Sequence, residues 1–203
     1  MARPVDRERR REMAARAFEV VKERGVHKTT MSDLAKALEI KRPTLYWYFP
    51  DLSSVFREVY FELQHEVLTH VTEAMRLQSH PIDQLEACLN AAVSFFAQRR
   101  DVMGGLLQLW AVGSAERESW QRETAKLVAP QREFMLKLVQ HGIESGQVKP
   151  CDAKGLTDTL FMLIDGSNVY TVLEGADPQD MVRFATQHIL DPLRIPHKKE
   201  QPT

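Results

Sequence analysis

Cysteine is nearly absent from this chain: Cys88 and Cys151 are the only two among 203 residues. Two cysteines make no disulfide framework and match no metal-ligand spacing, so free thiols in a reducing cytosol are the expectation. No stretch approaches the roughly 20 apolar residues needed to span a bilayer. The Arg-rich start lacks the apolar core of a secretory signal, and the expected location is cytoplasmic, with no membrane partner. There is no phosphate-cradling glycine loop, no Ser or Cys nucleophile motif, and no pair of His at i, i+4 with a carboxylate. His65 and His70 are five apart and turn away from each other on a helix. These absences argue against an enzyme, and no cofactor or metal is expected. Strand-like alternation of any length is missing too, so the fold class is all-α.

Aromatics make up only 8% of the chain, yet four stand in succession at Tyr46, Trp47, Tyr48 and Phe49. They close residues 30–50, a stretch that divides into two short helices. In the first, Met31, Leu34, Ala35 and Leu38 fall at i, i+3, i+4, i+7, one buried stripe of a 3.6-residue period. Thr30 precedes it as N-cap, and Asp33 places a carboxylate in the first turn. Glu39, Ile40 and Lys41 form the turn. Pro43 suits the first turn of the second helix, where its missing N–H costs nothing. Leu45 and Phe49 hold that helix against the first, and Pro50 ends it. The spacing predicts a helix-turn-helix. Lys41, Arg42, Thr44, Tyr46, Trp47 and Tyr48 are then left exposed, a set suited to a DNA major groove, where cations and hydroxyls hold phosphates and Arg reads guanine. The alternative is a plain helical hairpin with aromatics in its core.

The run TTMSDLAKALEIKRPTLYWYF, preceded by an amphipathic helix and followed by a long one, resembles the N-terminal domain of TetR-family transcriptional regulators. The likeness covers roughly residues 7–60; beyond it the chain matches the family only in length, helicity and layout. The resemblance implies that Arg42 and Tyr46 read base edges and that Pro43 touches a thymine methyl. It implies phosphate contacts from Thr30, Thr44, Trp47 and Tyr48, with Ser32 as a further contact. Three positions depart from the pattern. Glu39 stands where the turn commonly has Gly, Lys41 replaces a Ser-like cap, and Leu52 stands where a basic residue is usual.

The net charge of −1 hides a division. Residues 1–50 hold 12 Lys/Arg and 7 Asp/Glu, whereas residues 51–203 hold 15 and 21. A basic head directs DNA to itself while an acidic body repels it. The expected domains are accordingly 1–50, the helix-turn-helix DNA-binding domain, and 51–203, a helical effector-binding and dimerisation domain. About nine helices are expected in all. Helix one should run from an Asp6 cap to Arg24, with Gly25 as its stop. Its outer Arg7, Arg9, Arg10, Arg11 and Arg16 are either phosphate contacts or a solvated face interleaved with Glu. Helix four, from Asp51 to about Leu77, is about 39 Å long at 1.5 Å per residue. Pro130 must kink or divide a long helix over 115–145. Helix eight spans about 152–174. Helix nine, about 178–194, buries Met181, Phe184, Ala185, His188, Ile189 and Leu193.

One helix-turn-helix makes too few base contacts for a genomic site, so a homodimer on a palindromic operator of double-stranded DNA is expected. Helices eight and nine would pair across the dyad as a four-helix bundle, with Gly166 allowing close approach. The body should hold a small apolar or aromatic effector. Candidate walls are Phe61, Phe95, Met103, Leu107, Trp110, Phe134 and Phe161, with His65, Gln108 and Asn168 as polar contacts. The resemblance implies a ligand-released repressor; the alternatives are an activator of the same kind, or a non-specific DNA-binding or interaction module.

Overall fold

The computed structural model describes residues 6–25, 28–112 and 117–196, with the side chains of 106, 108–112 and 117–120 left aside. Nine α-helices and no strand occur among the described residues: α1 (Arg7–Arg24), α2 (Met31–Ala37), α3 (Arg42–Tyr48), α4 (Leu52–Arg76), α5 (Pro81–Ala97), α6 (Arg100–Val112), α7 (Arg117–Glu144), α8 (Ala153–Glu174) and α9 (Gln179–Ala185). The all-α expectation holds. Two compact units divide the chain, one of Met1–Glu66 with Asp101–Trp120, the other of Val67–Arg100 with Gln121–Thr203.

In the first unit, α1 starts where Asp6 accepts a hydrogen bond from the Arg9 N–H, and ends at Gly25 with φ 87°. Its Ala14, Ala17, Phe18 and Val21 are buried, as their spacing requires. Phe18 meets Phe56 of α4 edge to face, with ring centroids 5.2 Å apart. Two ion pairs of 2.6 Å, Arg10–Glu58 and Arg11–Glu62, tie α1 to α4 on its outer side. That answers part of the question about the α1 arginines: these two are paired within the protein. Phe18 also lies against Gly105 of α6, where an added Cβ would stand 3.1 Å from its Cζ. Lys22 pairs with Asp101 at the same junction.

In the second unit, α5 is capped by His80, whose Nδ1 accepts from the Ile82 N–H. Leu85, Leu89 and Val93 of α5 are fully buried, as are Leu160 of α8 and Val139 of α7. The chain end is laid beside the α5 start. Arg194 pairs with Asp83 there, and the pair holds the Asp83 carboxyl below its ordinary range. The backbones of Val148 and Arg194 form an isolated antiparallel bridge.

One expectation is narrowed and one is corrected. The helix over Pro130 is not divided: α7 runs on through it, with Pro130 exposed, so water can serve the carbonyl that loses its partner. Helix nine is not uniform. The α9 segment passes into a π-helical turn at Thr186–Leu190 and a 3₁₀ turn at Asp191–Leu193. That change of pitch re-aims the later side chains. Only Ala185 of the predicted buried set is fully enclosed with Val182, while Phe184 is 61% exposed and His188 is exposed.

Candidate nucleic-acid interface

The α2 start is built as its sequence predicts. The Asp33 N–H donates to Thr30 Oγ1 (3.2 Å), and the Thr30 N–H donates to Asp33 Oδ2 (2.9 Å), a reciprocal capping box. The Thr30 hydroxyl also donates to Asp33, and these bonds hold the Asp33 carboxyl below the usual carboxylate range. Thr30 is exposed as a phosphate contact requires, but its hydroxyl proton is already engaged by a carboxylate. Ser32 is exposed beside it.

The turn shows how the chain manages without glycine. Glu39 takes φ 57°, the one positive φ of a non-glycine residue among those described. That left-handed conformation lets the Ile40 N–H reach back to the Ala35 carbonyl at 3.0 Å. A side chain held there costs about 1–3 kcal/mol relative to an unstrained residue. Lys41 then occupies the N-cap of α3 without a side-chain cap, leaving its ammonium outward; Arg42 and Pro43 open the helix.

Leu45 and Phe49 are fully buried and fix α3 against the unit. On the opposite arc Lys41, Arg42, Pro43, Tyr46 and Trp47 are exposed, and Thr44 is half-buried. Tyr48 is the correction. It is only 5% exposed, with its ring edge to face against Trp47 at 4.8 Å and tilted on Phe49. Tyr48 follows Leu45 by three residues, so it shares the buried face, and that i, i+3 relation was legible in the sequence. Among the exposed side chains, Arg42 Nη2 donates to the Tyr46 hydroxyl at 3.2 Å, a contact the sequence reading missed. The arrangement presents two cations and two large aromatics on a short rod whose inner face is locked, which suits a polyanion with readable edges.

Residues 14–59 match the family model described as bacterial regulatory proteins, tetR family. Over 92 residues the chain is 28% identical to the probable acrEF/envCD operon repressor of Escherichia coli K12, covering 44% of this chain and 41% of that protein. Residues 14–59 are similar to the N-terminal domain of the tetR family. A second relative, the nucleoid occlusion factor SlmA of Haemophilus influenzae, is 22% identical over 71% of this chain and 66% of its own length. Among solved structures, a TetR/AcrR-family regulator from Thermobifida fusca superposes with TM-score 0.74 at 23% identity, covering 93% of this chain and all of that one. A TetR regulator from Haloarcula marismortui gives 0.77 at 16% identity, with 93% and 100% covered. The tetR family consists of transcriptional regulators and not enzymes. Burial pushes the Cys88 thiol up to about 12. No described helix is long and apolar enough to cross a membrane.

The expected effector-site residues are divided between the units. In the first, Met103 is buried, Phe61 and Leu107 are half-buried, and His65 is exposed. In the second, Phe95 and Asn168 are buried, and Phe161 lies beneath the Arg132 guanidinium at 4.2 Å. Phe134 is 57% exposed, on the side of α7 away from buried Met135 and Val139. The side chains of Gln108 and Trp110 lie outside the described residues. The second unit carries a feature the sequence reading did not single out. Met162, Val169, Tyr170 and Leu173 make an exposed apolar stripe along α8, with exposed Gly166 among them. Leu160, Ile164, Ser167 and Thr171 line its buried back.

Proposed function

We propose that this chain is a ligand-responsive repressor that binds a palindromic operator as a homodimer in the cytoplasm. In this reading residues 1–50 grip DNA and 51–203 dimerise and bind the effector. The observation that carries it is the outward display of Arg42, Tyr46 and Trp47 on a helix whose other side is buried. Arg42, Tyr46 and Pro43 face base edges; Lys41, Thr44 and Trp47 hold phosphates, with Thr30 and Ser32 at the groove margin and Tyr48 limited to its hydroxyl.

Dimerisation is supported by the α8 stripe, because a helix leaves side chains such as Met162 and Leu173 in water only at a cost of about 25 cal/mol per Å². Gly166 has open space where a Cβ would stand, so a second helix can approach its backbone closely. Effector binding rests on the apolar and aromatic content of the body, with Phe95, Phe161 and Asn168 its strongest candidates there. A small apolar or aromatic molecule lowers operator affinity only if it binds the DNA-free state more tightly.

The test is a mobility shift on the fragment upstream of the chain's own gene, at two salt concentrations, against random duplex. Sequence-specific retention that weakens steeply with salt is the expected result. Equal retention on random DNA would overturn the operator reading. Replacing Arg42 with Ala should cost about 1–3 kcal/mol of discrimination at one base pair, whereas Trp47→Ala should weaken all sequences alike.

A further inference from the structure

The first residue of α3 does not stand alone. Arg42 Nη2 donates to the Tyr46 hydroxyl at 3.2 Å, and its Cζ lies 5.3 Å from the centroid of the same ring. Residues four apart on a helix are neighbours, so the contact follows from the i, i+4 spacing. Both side chains are exposed, and among the described residues no carboxylate pairs with this guanidinium.

That arrangement has consequences for reading DNA. A free arginine carries about 2 kcal/mol of rotamer entropy, which a base contact must overcome. Here a stiff ring with two side-chain torsions already holds the guanidinium, and the partner oxygen is neutral, so the positive charge is kept for DNA. An arginine has five N–H donors. One goes to Tyr46, and the others suffice for the two acceptors, O6 and N7, that guanine shows in the major groove. The Tyr46 hydroxyl proton stays free for a neighbouring acceptor.

We infer that Tyr46 is a positioning residue for Arg42, and that the two side chains act as one unit selecting guanine at a single base pair in each half-site. This rests on the DNA-binding reading and adds to it a specific partner for the arginine.

The test is selection of the full-length protein on randomised duplex, with four variants compared. Arg42→Ala should lose guanine preference at one position, and Arg42→Lys should lose it too while keeping its charge, because an ammonium lacks the bidentate fork. Tyr46→Phe keeps the ring and removes only the hydroxyl. It should reduce guanine preference at that same position by about fivefold, the size of one net hydrogen bond, in addition to any loss at the base pair that Tyr46 itself faces. The double variant Arg42→Ala/Tyr46→Phe should be no worse there than Arg42→Ala. Tyr46→Phe with full guanine preference at the position that Arg42→Ala loses overturns the coupling, whatever happens at other base pairs. A wild-type protein that selects no sequence at all overturns the DNA-binding reading itself, a result distinct from either.

Discussion

Two exposed surfaces among the described residues are chemically opposite. The outer arc of α3 is cationic and aromatic, with polar tips on Arg42, Tyr46 and Trp47. The outer stripe of α8 is Met162, Val169 and Leu173, side chains with nothing to offer water, and Tyr170 alone has a polar end. Each is backed by a fully buried residue, Leu45 behind the first and Leu160 behind the second. A rigid, water-compatible face fits a hydrated polyanion that comes and goes. A rigid, water-averse face fits an apolar surface that stays. In the proposed function the first face meets DNA and the second a copy of this chain, a division that follows from the composition of what is exposed.

The strongest test of the first face separates its two sides. Leu45→Ala should cost about 2–5 kcal/mol of folding stability, since its site is fully buried. Trp47→Ala should cost less than half as much while abolishing most DNA retention. Comparable denaturant midpoints for the two would show that the arc is ordinary core. The second face is broken by Leu173→Glu. Burying this leucine twice across a dyad contributes about 3–6 kcal/mol to association, so sedimentation equilibrium should show at least a hundredfold weaker dimer with an unchanged melting temperature per monomer. A monomeric wild type, or a variant still dimeric, removes the stripe from the interface.

Smaller effects sharpen the picture. Glu39→Gly relieves the left-handed strain at the turn and should stabilise the protein by about 1 kcal/mol, net of glycine's entropy; a lower melting temperature would mean that Glu39 makes compensating contacts. The smallest effect is electrostatic. Arg194 depresses the Asp83 carboxyl, so the stability this pair contributes is present above the unfolded carboxylate range and is lost as pH falls through the lower folded value. Asp83→Asn should therefore cost less than about 1 kcal/mol at pH 7 for this partly exposed pair. The gap between variant and wild type should close below about pH 4, the unperturbed Asp value. A gap that persists at pH 2 would mean that packing, and not charge, is what the variant lost.

Local chemistry was the legible part. The Asp6 and Thr30 caps, the Gly25 stop and the Leu34–Leu45–Phe49 core follow from residue type and 3.6-residue spacing, and each is realised. The misreadings arose where a second partner decided. Read as a run, the aromatics place Tyr48 with its exposed neighbours, although its position three residues after Leu45 turns it inward. An ideal α period places Phe184 and His188 in the core. His188 falls in the π turn at Thr186–Leu190, which breaks that period, whereas Phe184 precedes the turn and lies off the face that buries Val182 and Ala185. The outer arginines of α1 were undecidable from one helix, since Glu58 and Glu62 come from another 48 and 51 residues away.

The sequence by itself determined an all-helical chain with a basic head and a two-helix reading motif, because caps, turns and periodicity act between residues a few positions apart. Tertiary structure alone decided which arginines of α1 are paired to α4, and which residues of α9 and the turns after it are enclosed. Those outcomes depend on contacts between segments distant in the chain, whose geometry no local spacing encodes.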